Sequence, residues 1–363
     1  MLTLRELNRA VLARQLLLER AHLAVDETLE RVAGLQAQIA NSPYVGLWSR
    51  LAGFERDDQT DLLHSRRVVK SSMMRATLHL TTARDFLLLR PAVQPAIDRF
   101  FSSVIRRRTP GVEPARIVAA AAACLQEAHT FTELRAALAE FEPSRGEWPV
   151  AYATRTLLPV VQVPSDAPWG YPPAPSYVFA ETWLGAPPSE DSDPAPLIRR
   201  YLAAFGPAKV RDMETWSGLT GLRDRVTKMR HELRTFVDES GKELFDLPDQ
   251  PLPAADTPAP PRFLPEFDNL LLAYADRTRV IANTHRPRVF GSAGLITSTF
   301  LIDGFVAGTW KLERGRRAAT LSVQPFATLA AGDHDELFAE AERLMRFLAP
   351  AAEEHAVRLG HAA

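Results

Sequence analysis

The chain has 363 residues, of which 46% are hydrophobic and 24% are charged, and its formal net charge is −1. These values are ordinary for a soluble globular protein of two or three domains, and they exclude a chain that is basic throughout, so any nucleic-acid surface must be a local basic patch. The N-terminal segment is charged from Arg5 onward and no apolar run approaches the length of a membrane span, so we expect a cytoplasmic protein that has no membrane partner.

The first predicted unit, residues 1–110, combines helices with a small hairpin. Apolar residues at helical spacing predict a helix over residues 4–16, Asp26 is a candidate N-cap for a second helix, and residues 44–54 follow as a third. Residues 68–80 predict two extended pieces around a polar turn. Helices followed by a hairpin are typical of a winged helix-turn-helix unit.

The second predicted unit, residues 111–195, repeats this pattern. We expect helices over residues 115–128, 132–141 and 150–158, and two strands over residues 160–163 and 177–180. The strands flank a proline-rich tip, Pro164 to Pro175, which is typical of a long wing. Cys124 lies in the first of these helices. A lone cysteine cannot form an internal disulfide, which fits a reducing cytoplasm.

The third predicted unit, residues 196–250, repeats the pattern more compactly. The expected elements are helices over residues 197–205, 210–217 and 222–233 and a hairpin over residues 235–247. Prolines then mark a linker over residues 248–261. The sequence thus predicts three consecutive units of one type.

The remainder, residues 251–363, is richer in strand patterns. The β-branched or alternating runs are residues 270–273, 280–282, 295–302, 305–312 and 318–323. Asp303-Gly304 is a two-residue hairpin signal between two of these runs. A last helix is expected over residues 333–347, with one apolar face formed by Leu337, Phe338, Ala341, Leu344 and Met345. The whole chain is predicted to be an α+β protein of three tandem winged-helix units followed by a small antiparallel β domain.

Two glutamines in the first unit are the most informative polar residues. Gln36 and Gln38 lie between Gly34 and Pro43, so the backbone there is predicted to be extended or at a helix end, where residues two apart share a face. Two amides on one face offer donors and acceptors that can hold a water molecule or the edge of a base. The alternative is that each amide is solvated or caps a backbone group.

Several strings of the chain, in order, resemble one known family. They are LNRAVLARQLLLER, GLQAQIANSPYVGLWSRL, MRATLHL, RYLAAFGPAKVRDMETWSGL, LPEFDNLLLAYADRTRV and DGFVAGTWKLER. Together they resemble the AlkZ-like winged-helix DNA glycosylases of bacteria. The resemblance implies tandem winged helices, a C-terminal β domain and a catalytic glutamine–any–glutamine motif, which falls on Gln36 and Gln38. A related branch carries aspartate at the second position, and Gln38 therefore implies the branch associated with bulky N7-alkylguanines and interstrand crosslinks.

The chemistry of the two glutamines predicts a preference for one kind of base. Cleavage of an N-glycosidic bond builds oxocarbenium character on the sugar, and a glycosylase usually uses a carboxylate to stabilise that charge or to activate water. Glutamine cannot act as a general base at neutral pH, but it can orient water. That suffices where N7 alkylation already makes the departing guanine cationic. We therefore expect cationic adducts to be cut and normal or deaminated bases to be left.

The expected DNA contacts are mostly basic residues. The resemblance places Arg75, Thr77 and His79 near DNA, although a surface turn with His79 pointing outward is the alternative. The expected phosphate contacts are Arg66, Arg67, Lys70, Arg106, Arg107 and Arg108. Trp169, in the wing-like tip, either wedges into a groove or folds back onto its own unit.

One group of polar residues in the C-terminal part has two interpretations. Asp268 and Asn269 in LPEFDNLL, with Asp276 and Arg277, indicate either an active-site carboxylate or, as we favour, a structural ion pair that ties the β domain to the winged helices.

The sequence as a whole predicts a monomeric, monofunctional DNA glycosylase with no metal and no nucleotide cofactor. Its expected partner is double-stranded DNA containing alkylated purines, held in an open groove with little base flipping. The alternative is a winged-helix protein without catalysis, either a regulator or a protein that sequesters a genotoxin. Housekeeping repair and self-resistance to a genotoxin share the same motif and remain open.

Overall fold

The computed structural model describes residues 1–105, 114–138, 154–315 and 317–360, which form a mixed α+β fold as predicted. The α-helices are α1 Leu4–Arg14, α2 Val25–Arg31, α3 Ser42–Arg50, α4 Arg56–His64, α5 Ala83–Phe100, α6 Pro114–Cys124, α7 Phe131–Ala137, α8 Ala180–Leu184, α9 Ala195–Phe205, α10 Val210–Ser217, α11 Arg223–Lys228, α12 Arg286–Val289 and α13 Ala331–Leu348. The strands are β1 Leu35–Gln36, β2 Val68–Ser72, β3 Leu78–Thr82, β4 His129–Thr130, β5 Val160–Gln162, β6 Ser176–Phe179, β7 Arg234–Val237, β8 Glu243–Asp246, β9 Arg262–Leu264, β10 Thr299–Ile302, β11 Phe305–Arg314, β12 Ala318–Pro325 and β13 Glu354–Leu359. No helix in these described ranges is long and apolar enough to cross a membrane.

The N-terminal helices begin where local capping allows. Thr3 and Glu6 form a capping box at α1, each side chain bonding the other's backbone. The predicted N-cap Asp26 is wrong by two residues, because α2 begins at Val25 after Ala24. Asp26 lies in the first turn of the helix instead, where its carboxylate pairs with Arg67.

One six-stranded sheet contains strands from the first two predicted units. Its order is β1-β3-β2-β5-β6-β4. The junction is Ser71 opposite Val161, and the Ser71 hydroxyl donates a 2.6 Å hydrogen bond to the Val160 carbonyl. The hairpin predicted over residues 68–80 is present as β2 and β3, joined by a turn at Met74–Ala76. The unit boundaries themselves stay a prediction.

The second sheet departs from the predicted antiparallel domain. Its order is β13-β12-β11-β10-β9, and the Asp303-Gly304 hairpin joins β10 to β11 as expected. The prediction of a wholly antiparallel sheet is wrong, since β13 runs parallel to β12. The helix α13 lies between these two strands in the chain and supplies the crossover that a parallel pair requires.

Some apolar patterns near the C-terminus were wrongly assigned. The runs 270–273 and 280–282 are not strands. Residues Asn269–Leu271 form a single 3₁₀ turn, and the Asp268 side chain caps it by accepting a hydrogen bond from the Leu270 amide. These runs are apolar because they lie in the core: Leu271 and Val280 are fully buried. On α13 the predicted apolar face is also too wide, because Phe338 is exposed whereas Leu337 beside it is buried.

Candidate active site and DNA interface

A tight turn at Gly34 connects α2 to the segment that contains Gln36 and Gln38. Gly34 has a φ of +75°, in the left-handed region, and a Cβ there would lie 2.9 Å from Thr81 Cγ2 and 3.0 Å from the Leu80 carbonyl oxygen. The Gly34 carbonyl accepts a 2.7 Å hydrogen bond from Asn269 Nδ2. A residue of the C-terminal part of the chain therefore fixes the backbone directly before Gln36.

Gln36 is a buried residue of the short strand β1. It lies opposite His79 of β3, and the next amide, that of Ala37, donates to the Leu78 carbonyl at 2.7 Å. The side chain is 5% exposed, and its Oε1 accepts a 2.7 Å hydrogen bond from Arg75 Nη2. Gln36 is thus held from both the backbone and the side chain.

Arg75 is itself held firmly. Its backbone has a φ of +55°, its other guanidinium nitrogen donates to the Trp216 carbonyl, and Gly218 packs against its Cα. Burial and, second to it, the positive charge of Arg277 lower the pKa of Arg75 to about 10. At neutral pH the guanidinium stays charged and presents a fixed donor to Gln36.

Gln38 differs from Gln36 because it is exposed. The strand β1 ends at Gln36 and the chain bends at Gln38, so strand periodicity does not extend across the pair. Gln38 lines an open cavity of about 640 Å³, and Lys70 and Leu78 also line it. The two amides therefore occupy a buried and an accessible position.

The cavity beside Gln38 has aromatic, proline and cationic walls. Its aromatic lining is Phe131, Trp169, Tyr171 and Tyr177, and the cations are Lys70 and Arg155. Neither aspartate nor glutamate is among the described residues that line it. Any chemistry at this cavity that uses only these side chains must proceed without a carboxylate base.

Burial also changes the proton affinities around the glutamines. Burial and, second to it, the charge of Arg155 lower the pKa of Lys70 to about 8. The Lys70 ammonium lies 4.6 Å from the centroid of the Tyr171 ring. Burial and then the charge of Arg75 lower the pKa of His79 to about 3, so its imidazole is neutral at physiological pH. The predicted outward-facing alternative for His79 is wrong: the side chain is fully buried, and its Nδ1 lies 3.0 Å from the Thr77 carbonyl oxygen.

The other predicted DNA contacts are distributed unevenly. Arg66 is exposed, donating to the Trp183 carbonyl at 2.9 Å and lying over the Trp183 ring. Arg67 is exposed and pairs with Asp26. The Thr77 hydroxyl donates to the Met74 carbonyl within its own turn. The three arginines Arg106, Arg107 and Arg108 lie outside the described residues.

Trp169 packs against neighbouring helices while it lines the cavity. Its ring is 5.2 Å from Tyr44 of α3 and 6.5 Å from Phe347 of α13, measured between centroids, and the Arg56 guanidinium of α4 lies 4.0 Å from it. The prediction that it folds back onto its own unit is wrong, because these partners belong to the first unit and to the C-terminal part. Trp169 joins both to the cavity wall.

Asp268 forms the predicted structural ion pair. Its two oxygens accept hydrogen bonds from Arg50 of α3 at 2.9 and 3.0 Å, and both side chains are fully buried. The next residue, Asn269, is the one that binds Gly34. The interpretation of Asp268 as a tie between the C-terminal part and the N-terminal helices is confirmed.

Two further arginines lie near the glutamine site and were not predicted to contact DNA. Arg277, considered above only for a structural ion pair, is close enough to Arg75 to affect its pKa, and Arg286 was not singled out at all. Arg277 lies 4.5 Å and Arg286 lies 5.9 Å from the centroid of the Phe290 ring. Burial and the charge of Arg286 lower the pKa of Arg277. Neither arginine has a carboxylate partner in the described ranges. The signal for Arg286 was the string THRPR, which follows DRTR closely in the sequence.

Comparison with known families and proteins gives consistent matches. The family model described as DNA glycosylase AlkZ-like matches residues 29–347. A protein of Streptomyces sahachiroi named interstrand DNA cross-link repair glycosylase is 33% identical over 147 residues, a segment that covers 38% of this chain and 39% of that protein. The aligned segment thus spans well under two thirds of the relative.

The fold is shared over the full length with a solved structure. Streptomyces sahachiroi DNA glycosylase AlkZ superposes with a TM-score of 0.79 at 22% identity, covering 99% of this chain and 100% of that one. At this identity the likeness concerns the fold.

Proposed function

The chain belongs to the AlkZ-like DNA glycosylase family, and from this premise we propose that it hydrolyses the N-glycosidic bond of N7-alkylated purines in DNA. The observation that carries the proposal is the contrast within the glutamine pair. Gln36 is buried and fixed by Arg75, whereas Gln38 is exposed on a cavity of about 640 Å³. The exposed amide of Gln38 can orient a water molecule at this cavity, and the hydrogen bond from Arg75 fixes Gln36, two residues earlier in the chain.

The reaction follows from this arrangement and from the charge of the substrate. The amide of Gln38 orients a water whose oxygen bonds to C1′ of the deoxyribose as the bond to N9 breaks. The electron pair of that bond neutralises the cationic, alkylated guanine, which leaves as a neutral base, and the water proton passes to solvent. Gln36, held and polarised by the Arg75 guanidinium, keeps the segment that carries Gln38 in place. The departing base needs no protonation because alkylation at N7 already makes it cationic, so the site needs no general acid.

In this proposal the basic residues bind the DNA backbone. Three tandem winged-helix units would enclose a concave surface for one duplex, bound by a monomer. Arg66, Arg67 and the run Arg106, Arg107 and Arg108 would contact phosphates. Lys70 is not placed among them, because it is only 6% exposed and lies in the cavity wall. Arg277 and Arg286, which lack carboxylate partners in the described residues, would extend this surface beside Arg75. His79 and Thr77 would hold the turn that carries Arg75, without reaching DNA themselves.

A base-release assay tests the assignment. Duplex DNA with a single N7-methylguanine is incubated with the protein, and the free base is measured by mass spectrometry. Gln36→Ala and Gln38→Ala should each lower release by about 10²-fold or more, since each removes a positioned hydrogen-bonding group at the reacting centre. Binding of the same duplex should change little in either variant.

The matched control is an exposed glutamine remote from the cavity lining. Gln126→Ala, directly after α6, should release base at the wild-type rate. Undiminished release by the double variant Gln36→Ala/Gln38→Ala would overturn the catalytic assignment. Tight duplex binding without release by the wild-type protein would instead favour a DNA-binding protein without catalysis.

A further inference from the structure

Ile39 presents an apolar side chain to solvent directly after the accessible glutamine. The side chain is 41% exposed, and within the described part of the chain it belongs to none of the hydrophobic clusters. Its apolar neighbours in sequence, Leu35, Ala37 and Tyr44, are all core residues of one cluster. A single exposed isoleucine is ordinary, so its position in the site decides whether it has a role.

The turn that carries Ile39 is fixed at both ends. Before it, the Ala37 amide donates to the Leu78 carbonyl at 2.7 Å, and after it the Ser42 amide donates to the Ile39 carbonyl at 3.2 Å. Pro43 lies in the first turn of α3, where its ring restricts the backbone. The Ile39 side chain is therefore held between β1 and α3 in a defined place.

Ile39 does not contribute to the cavity that its neighbours line. Gln38 and Ala40 are lining residues, whereas Ile39 between them is exposed and is not one of the described residues that form the wall. A nucleotide that places its sugar at Gln38 would therefore have Ile39 beside it, outside the cavity.

The spacing of the chain matches the spacing of stacked bases. Consecutive Cα atoms are about 3.8 Å apart, close to the rise of about 3.4 Å from one nucleotide to the next in a duplex strand. If Gln38 acts at C1′ of the reacting nucleotide, Ile39 lies within about one base step of it. Contact with the duplex at that step is then a consequence of the position of Gln38.

An isoleucine at this place has one kind of suitable partner on DNA. Phosphates bind cations, whereas the apolar surfaces of a duplex are the base faces, which are hidden in the stack. Apolar side chains enter such stacks in many DNA-binding proteins and partly separate two bases. A β-branched side chain suits this use, because its χ1 angle is already restricted and loses little freedom on insertion.

We propose that Ile39 enters the base stack beside the alkylated nucleotide and opens one base step, so that the Gln38 amide can reach C1′. This inference rests on the proposed function and adds a positioning residue to the same site. The chemistry stays with the two amides. Opening one step leaves the alkylated base in an open groove, since only its neighbour loses stacking.

The fluorescence of 2-aminopurine, a base analogue that stacking quenches, reports the opening directly. The duplex contains a 2′-fluorinated nucleoside of N7-methylguanine, which resists hydrolysis because the fluorine disfavours positive charge on the sugar. Two such duplexes carry 2-aminopurine on the 5′ or on the 3′ side of the lesion. Saturating wild-type protein should raise the fluorescence of one of them by about twofold or more. Ile39→Ala should leave both at the level of the free duplex.

Base release from the unfluorinated duplex is measured for the same variants. Ile39→Ala should lower kcat/KM for N7-methylguanine by about tenfold, since alanine removes three carbons of the inserted side chain. Ile39→Leu keeps the apolar volume, so it should retain the fluorescence rise and release base within about threefold of the wild type.

The matched control is Leu88→Ala on α5. Leu88 is 44% exposed, close to the 41% of Ile39, and is not among the described residues that line the cavity. It should equal the wild type in fluorescence and in release. Because Ile39 is exposed, Ile39→Ala should also unfold at the wild-type temperature, which separates a lost contact from a lost fold.

The outcomes distinguish this inference from the proposed function. Ile39→Ala that keeps the fluorescence rise would overturn the role of Ile39, whatever its rate of release. Release by the wild type without any rise in either duplex would also overturn it and leave the glycosylase assignment intact. A rise that depends on Ile39, in a protein that releases no base, would remove the glycosylase assignment and retain the opening of the base step.

Discussion

At the scale of single residues, the hydrogen bond from Arg75 determines how the amide of Gln36 is presented. Because Arg75 is a donor only, Gln36 must offer it the amide oxygen, and this fixes the orientation of the amide. His79, opposite Gln36 in the sheet, is neutral because it is buried beside the Arg75 charge. The cluster of Gln36, Arg75 and His79 therefore carries one positive charge, that of Arg75, and contains no acid or base that titrates near neutral pH.

The buried His79 makes the stability of the protein depend on pH. The unfolded chain binds a proton at His79 below pH about 6.5, whereas the folded protein does not until pH about 3. The free energy of unfolding should fall as pH decreases from about 6.5 toward about 3, by up to ~1.4 kcal/mol per pH unit from this residue. When the pH is lowered from 7 to 5, the free energy of unfolding measured in urea should fall by ~2 kcal/mol less in His79→Gln than in the wild type.

The control for this measurement is an exposed histidine. His334→Gln, on α13, should retain the wild-type pH dependence. An identical loss between pH 7 and pH 5 in His79→Gln and in the wild type would show that His79 is not held neutral in the fold.

Some site residues could be predicted and others could not. The spacing of Gln36 and Gln38 and the resemblance of the surrounding strings identify the pair from sequence. Their unequal exposure follows from β1 ending at Gln36, a boundary set by the pairing of Gln36 with His79 of β3 rather than by local sequence. Trp169 was ambiguous because its partners Tyr44, Arg56 and Phe347 all lie far away in the sequence.

At the scale of elements, the turn containing Asp268 and Asn269 fixes the chain on both sides of the glutamine pair. Asp268 binds Arg50 of α3, and Asn269 binds the carbonyl of Gly34, the residue that directs the chain into β1. The same turn is capped by Asp268 through the amide of Leu270. Two elements that bracket Gln36 and Gln38 are thus fixed by one short turn.

Removing one partner of the buried ion pair should be costly. Asp268→Ala leaves the Arg50 guanidinium charged and buried without its carboxylate, so the free energy of unfolding should fall by about 3–5 kcal/mol. Urea unfolding monitored by circular dichroism measures it. Asp335→Ala, an exposed aspartate of α13, should change stability by less than about 0.5 kcal/mol. A similarly small effect for Asp268→Ala would contradict the role given to the pair.

Element prediction succeeded where the pattern was local. Alternation and the Asp303-Gly304 turn identify β10 and β11, and helical spacing identifies α9 and α10 nearly to the residue. It failed at residues 270–273, since a buried apolar run has the same composition whether it forms a strand or a turn. It also missed β13, which has as many polar as apolar residues and is set in place by parallel pairing with β12.

At the scale of the whole molecule, the cavity beside Gln38 is assembled from distant parts of the chain. The sheet that crosses the first two predicted units supplies Lys70 and Gln162, and the segment before β6 supplies the proline rim. Trp169 connects this wall to α3, α4 and α13. A net charge of −1 leaves DNA binding to local groups of arginines, one of which comprises Arg75, whose guanidinium bonds Gln36, together with Arg277 and Arg286.

The central claim is that two uncharged amides suffice because the departing base is already a cation. It is tested by comparing release of N7-methylguanine with release of hypoxanthine, a neutral purine, from the same duplex sequence at pH 7. We expect N7-methylguanine to be released rapidly. Hypoxanthine should be released at least about 10²-fold more slowly, since the neutral base must be protonated to leave. Comparable rates for the two bases would contradict it, because the protein would then have to supply an acid that the amide pair lacks.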